Sequence, residues 1–269
     1  MVDDEVIAAH AAEMLGVFRD HRLERHTDHA IADLTIGQAY RVQEAVVAQR
    51  VADGERHVGW KVGCTSRGVQ AQFGLTEQIN GHLMAPHVHD SGAVLHLGDY
   101  VDCAIEPEFV LHMATELEGH DLPDATLRSA IGAVSAGIEV HNYRFFHGCA
   151  TSQELIASNG IHAAAVVGGE RAALGDVDLA LEGVGVWRNG ELVDSGIGAE
   201  IMGGPLESLR WLVGHLTDRG RRLEAGALVI PGSPVGLIRV GPDDHIETRF
   251  ARFGRCEATF VDGRRGGSA

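Results

Sequence analysis

The sequence predicts an α+β fold in which a helical N-terminal region leads into a body dominated by an antiparallel or mixed, strongly bent β-sheet. Three observations carry this. Residues 35–54 hold a helix with its own start and stop signals, residues from 57 onward break into short β-branched runs separated by Gly, Asp and Asn, and only two further helical patterns interrupt those runs. With 45% hydrophobic and 22% charged residues, the 269-residue chain can bury a sizeable core, which excludes disorder as its main state. The expected division is a helical region over 1–56, a β-rich body over 57–262 and a flexible tail over 263–269.

Taken in order, residues 3–23 place Val6, Ile7, Met14, Leu15, Val17 and Phe18 among charged positions, a ragged helical stripe. Thr35 with Gln38 three residues later makes a capping box. Ile36, Ala39, Tyr40, Gln43, Val46 and Val47 continue at helical spacing to the stop at Gly54. The runs HVGWKVG, AVLHL, AIEPEFVLHM, GIEVHNYRF, HAAAVVGG, LALEGVGVWRNGELVDSG, ALVIPG, HIETRFARFG and CEATF read as strands, with Asn189-Gly190 as a hairpin turn. The two interrupting helices are one near Asp124 to Val134 and one from Pro205 to Leu216. The second has Leu206, Leu209, Leu212, Val213 and Leu216 on one face and is stopped by Gly220. The pairs Gly168-Gly169 and Gly203-Gly204 read as turns.

Lys and Arg number 22 against 38 Asp and Glu, a formal charge of −16, which argues against nucleic-acid or anionic-lipid partners. No stretch approaches the roughly 20 apolar residues of a membrane helix. The acidic start MVDDEVIAAH is unlike a secretion signal, so a cytoplasmic protein is expected. Cys64, Cys103, Cys149 and Cys256 form no CxxC pair and read as reduced thiols. His82, His87, His89 and His96 lack the spacing of a zincin helix and read as solvated loop histidines. Dinucleotide, P-loop and serine-hydrolase motifs are absent.

The chemistry-bearing residues are acidic and one is basic. Glu106 and Glu108 alternate in AIEPEFVL and must project side by side, and Pro107 between them suggests an edge or a strand end. Glu139 lies between Ile138 and Val140 in a second apolar run. These residues read either as solvated strand faces or as a carboxylate cluster for a hard divalent ion, Mg²⁺ or Mn²⁺. Lys61, between Trp60 and Val62, reads either as half of a structural ion pair or as a site lysine.

The ordered motifs GWKVGCTS, EQINGHL, IEPE, GIEVHNYR, SNG and PLESLRWL resemble the fumarylacetoacetate hydrolase superfamily. The likeness runs from about Thr35 to Phe260 and is nearest to the branch of 2-keto-4-pentenoate hydratases and 4-oxalocrotonate decarboxylases of aromatic catabolism. The resemblance implies a mixed, rolled β-sheet body behind an N-terminal helical region. It also implies Glu106, Glu108 and Glu139 as ligands of Mg²⁺ or Mn²⁺, Lys61 in the active site, and a homo-oligomer. His141, His162 and His82 are candidate acid–base groups, and Ile79, Arg144 and Asn159 candidate substrate contacts. Hydratases typically carry an acidic residue where this chain has Ile79, and the decarboxylases often have isoleucine there. Further departures from the family pattern are Ala104, Asn142, Ser158 and Val235. The implied activity is a metal-dependent lyase acting on a 2-hydroxy-dienoate or 2-oxo acid, a hydratase first and a decarboxylase second. An acylpyruvate-type C–C hydrolase and a non-catalytic small-acid binding protein are further alternatives.

Overall fold

Two helices, α1 (Asp4–Asp20) and α2 (Ile36–Ala52), precede the β body. The computed structural model describes residues 4–20, 31–143 and 149–264. Residues 3 and 21–23 of the predicted first helix lie outside that range. α2 starts where its sequence says it should: the Thr35 side chain accepts from the Gln38 N–H, and the Gln38 side chain accepts from the Thr35 N–H at 2.8 Å. The stripe of α1 is ragged but sufficient, since Ile7, Ala11, Met14 and Leu15 pack against Val42 and Val46 of α2.

From His57 the chain runs through β1 (His57–Gly63), α3 (Arg67–Gln72), β2 (Ile79–Met84), β3 (Val88–Asp90), β4 (Ala93–His96), β5 (Cys103–Met113), α4 (Asp124–Ala130) and β6 (Ile131–Asn142). It continues through α5 (Ser152–Ala157), β7 (His162–Val167), the hairpin β8 (Gly183–Arg188) and β9 (Glu191–Ile197), α6 (Pro205–Thr217), β10 (Leu228–Ile230), β11 (Ile238–Arg239), β12 (His245–Phe250) and β13 (Gly254–Val261). Every predicted run contains a strand. Asn189 and Gly190 sit at φ 52° and 86°, the left-handed pair that a tight hairpin turn requires.

The structure differs from the sequence reading in several places. The β body holds two short helices beyond the two expected, α3 and α5, and two short strands that were not expected, β3 and β11, all of six residues or fewer and so too short to show a period. The helix predicted to Val134 stops at Ala130, because residues from Ile131 pair with β5 and that pairing overrides local helical spacing. β2 was not predicted, since all six of its residues are buried and leave no alternation to read. His82 is therefore buried rather than in a solvated loop, while His89 and His96 lie on short strands. Pro107 marks neither a sheet edge nor a strand end. It lies within β5 opposite Ile138, where β11 pairs at Ala104 and Ile105 and β10 at Leu111 and His112, so the stretch 106–110 is partnered by β6 alone. Such a one-sided stretch tolerates a residue without an N–H.

Among the described residues the strands form two mixed sheets, one of eight strands in the order β2-β1-β10-β5-β6-β7-β3 with β11 on β5, and one of five in the order β4-β13-β12-β8-β9. Pairs β1–β10, β3–β7 and β4–β13 are parallel. The core lies between the sheets, with Ile105, Phe109 and Val166 from one and Val186, Phe250 and Phe260 from the other. Phe109 meets Phe250 edge-on at 4.8 Å between ring centroids. The four cysteines are free, and no described helix is long and apolar enough to cross a membrane. α6 closes onto α2 through His215, whose ring lies 5.1 Å from Tyr40 and 4.5 Å from Trp211.

Phe109→Ala is expected to cost about 3–5 kcal/mol of stability in urea unfolding, because it leaves a cavity between the sheets. A second expectation concerns acid. Burial, with the Arg219 charge adding to it, pushes the His215 imidazole down to about 3. The unfolded chain thus binds a proton that the native state refuses, and stability falls as the pH drops below roughly 6.5. His215→Phe keeps the ring stack and should remove more than about 1 kcal/mol of the stability lost between about pH 7 and 5. Denaturation at both pH values checks this, and an unchanged loss would contradict it.

Candidate active site

Strand register brings the acidic residues together. β5 and β6 pair with Glu106 opposite Glu139, Glu108 opposite Gly137 and Ala104 opposite His141. Opposite residues share a face, as do residues two apart. Glu106, Glu108, Glu139 and His141 therefore project to one side, while Ile105, Phe109, Ile138 and Val140 enter the core on the other. This face is not solvated: Glu108, Glu139 and His141 are buried, and only Glu106 keeps a partly exposed side chain.

Each carboxylate is anchored by the protein. Glu139 Oε1 accepts from His162 Nδ1 at 2.7 Å and faces Lys61 Nζ at 3.3 Å. Glu108 Oε2 accepts from the Gly232 N–H at 3.1 Å, supplied by the loop that enters where β5 lacks a second partner. Glu108 Oε1 is buried and has no hydrogen-bond partner among the described residues. Glu106 Oε2 lies 3.0 Å from His141 Nε2. One ammonium faces three carboxylates here, and the protonation tendencies follow from that. Burial and the charges of Glu139 and Glu106 raise the Glu108 carboxyl well above the usual range. Burial works against ionised Glu139, but Lys61, His141 and the His162 hydrogen bond outweigh it and hold the group low. Burial likewise disfavours charged Lys61, yet Glu139 and Glu106 raise it above the ordinary lysine value. The His162 imidazole is pushed down by burial, which outweighs the Glu139 hydrogen bond.

Lys61 reaches these carboxylates through a slot made of glycine. A methyl group on Gly160 would lie 2.8 Å from its Nζ, one on Gly63 3.0 Å from the same atom, and one on Gly81 3.1 Å from its Cγ. The ammonium also donates to the Gly160 carbonyl at 3.2 Å. These glycines come from the separate segments GWKVGCTS, EQINGHL and SNG, which only the folded chain brings together around Lys61. Asn159, Gly160 and Ile161 all take positive φ, at 62°, 62° and 54°. For a β-branched residue such as Ile161 this is strained backbone, and here it frames the site.

The other predicted residues fall as follows. Ile79 is buried beside the slot, its Cδ1 3.5 Å from where a methyl group on Gly160 would sit. Asn159 commits its amide to the backbone of His82, donating at 2.9 Å and accepting at 2.6 Å, so it braces β2. His82 turns away from the carboxylates, towards Trp60 and Glu44. Arg144 lies outside the described residues.

The donor set fits a hard divalent ion. With Glu139 Oε1 held by Lys61 and His162 and Glu108 Oε2 held by Gly232, Glu108 Oε1 is left without a hydrogen-bond partner among the described residues, Glu139 Oε2 faces His141 Nε2 at 3.5 Å, and Glu106 stands beside them, partly exposed. A buried, unpaired carboxylate oxygen such as Glu108 Oε1 calls for a cation or a proton.

No family model matches the chain. It is 30% identical over 232 residues to 2-keto-4-pentenoate hydratase 1 of Dechloromonas aromatica, covering 86% of this chain and 88% of the relative. It is 29% identical over 243 residues to 4-oxalocrotonate decarboxylase of Pseudomonas putida, covering 89% and 92%. Among solved structures it resembles 4-oxalocrotonate decarboxylase from Pseudomonas putida G7 complexed with magnesium and adipate, with a TM-score of 0.92 and 28% identity over 97% of this chain and 99% of the other. The chain belongs to the family of 2-keto-4-pentenoate hydratases and 4-oxalocrotonate decarboxylases, with the fold of the fumarylacetoacetate hydrolase superfamily.

Gly160→Ala tests the slot. The added methyl group meets Lys61 Nζ and occupies a left-handed position costing about 1–2 kcal/mol. The expected outcome is a folded protein whose turnover with its substrate falls at least about tenfold. Near-normal turnover would show that Lys61 tolerates displacement.

Proposed function

We propose that this chain is a divalent-metal-dependent lyase acting on a 2-hydroxy-dienoate or its 2-oxo tautomer, of the 2-keto-4-pentenoate hydratase type. The observation that carries the reading is the inward face of β5 and β6, where Glu106, Glu108 and Glu139 meet a buried Lys61. These three carboxylates would hold Mg²⁺ or Mn²⁺, ions suited to oxygen donors. When bound, the ion supplies a Lewis acid beside the 2-oxo acid. Lys61, kept charged by the carboxylates, holds a substrate carboxylate or delivers a proton from Nζ. His162 donates through Nδ1 to Glu139, which in the neutral ring leaves Nε2 as a proton acceptor. His141 faces Glu106 and, from the same strand, Glu139.

One observation favours decarboxylation as the second reading. Ile79 puts an apolar wall beside the lysine slot, where an acidic side chain would assist addition of water. The strong likeness to a decarboxylase structure points the same way. The proposal also takes residues 1–56 as an N-terminal helical region, 57–262 as the β-rich catalytic domain and 263–269 as a flexible tail, and the protein as a cytoplasmic homo-oligomer. The exposed Leu192, Val193 and Ile197 on the edge strand β9 support association.

The test is incubation of the Mg²⁺- or Mn²⁺-loaded protein with freshly generated 2-hydroxypenta-2,4-dienoate and, separately, with 2-oxohex-3-enedioate, followed by product mass. Gain of water by the dienoate is the expected result, and loss of CO₂ from the dioate would establish the second reading. Full activity after thorough chelation would overturn both.

A further inference from the structure

β6 places His141 two residues beyond Glu139 on the same face, opposite Ala104 of β5. The imidazole is 3% exposed. Its Nε2 lies 3.0 Å from Glu106 Oε2 and 3.5 Å from Glu139 Oε2, and one ligand atom from each of the three residues falls within 4.8 Å of the others. Two donors at right angles around one octahedral ion, each about 2.1 Å from it, stand roughly 3 Å apart. The nitrogen stands at that spacing from Glu106 Oε2 and half an ångström wider from Glu139 Oε2, and all three atoms lie within 4.8 Å of one another. Only the Glu106 contact is a hydrogen bond, so the approach of Glu139 Oε2 to the same nitrogen at 3.5 Å is left for another interaction.

We propose that His141 is a nitrogen ligand of the divalent ion in this site, which makes the donor set mixed nitrogen and oxygen instead of all oxygen. This rests on the reading that the carboxylates bind a metal. The division of labour around the site supports it. Glu139 Oε1 is taken by Lys61 and His162, which leaves Oε2, the oxygen facing His141, for the ion. Glu106 is the least buried of the three acids and faces the same nitrogen. His162 contacts the cluster on the opposite oxygen of Glu139, where it orients the carboxylate.

An imidazole donor changes which metal the site prefers. Nitrogen ligation strengthens binding of Mn²⁺, and more so of Fe²⁺, Co²⁺ and Zn²⁺, while it adds little for Mg²⁺, which favours oxygen and water. The ratio of Mn²⁺ to Mg²⁺ affinity should therefore exceed that of the same site without the imidazole.

The experiment uses the full chain, stripped with a chelator and reloaded with Mn²⁺, and records electron spin echo envelope modulation. Modulation from a directly bound ¹⁴N is expected, replaced by a ¹⁵N pattern in protein labelled with ¹⁵N-histidine, a comparison that needs no mutation. His141→Val should abolish the nitrogen signal and weaken Mn²⁺ binding at least about tenfold, with a change under about threefold for Mg²⁺. His162→Asn should retain the signal. Bound Mn²⁺ without nitrogen modulation in the unmutated protein would overturn the proposal, as would an undiminished signal in His141→Val. Failure to bind either Mn²⁺ or Mg²⁺ would instead sink the metal reading itself.

Discussion

The site depends on a charge imbalance held inside a sheet. Three carboxylates face one ammonium on a largely buried surface, and removing such groups from solvent costs several kcal/mol each unless partners compensate. The surrounding structure supplies those partners one oxygen at a time: Lys61 and His162 for Glu139, a backbone N–H for Glu108, and His141 for Glu106. The remaining negative charge is what suits the site to a cation, and it also keeps Lys61 protonated despite its burial.

That arrangement explains features elsewhere in the fold. β5 and β6 are buried on both faces, so one face can join the core between the sheets while the other carries the acids. The gap beside Pro107 admits the Gly232 N–H, which a continuous ladder would exclude. The strained run Asn159–Gly160–Ile161 persists because Asn159 is locked to β2 and the Gly160 carbonyl receives the lysine. Backbone strain at such a place is retained when neighbours over-determine it.

The chain's departures from the wider family pattern sit close to this machinery. Ile79 gives an apolar side to the lysine slot, and Ala104 is the cross-strand partner of His141. Together they alter what surrounds the carboxylates without removing any of them. Differences in reaction within one fold are expected to arise from this kind of local change.

Much of the architecture was legible in the chain. The capping box at Thr35, the Asn189-Gly190 turn, the amphipathic α6 and the alternation Glu106–Glu108 depend on neighbours a few residues away, so local spacing determines them. β2 was not legible, because a strand buried on both faces has no period to read, and the helix read as far as Val134 yielded to pairing with β5. The site itself divides along the same line. The sequence by itself determined that two acids share a face, that a lysine sits in an apolar run and which family the motifs resemble. Only the tertiary structure decided that Glu139 stands opposite Glu106, that Gly63, Gly81 and Gly160 enclose Lys61, that Asn159 braces a strand, and that His141 points at the acids while His82 points away. Those outcomes depend on strand register and on contacts between residues up to a hundred positions apart, which no local pattern encodes.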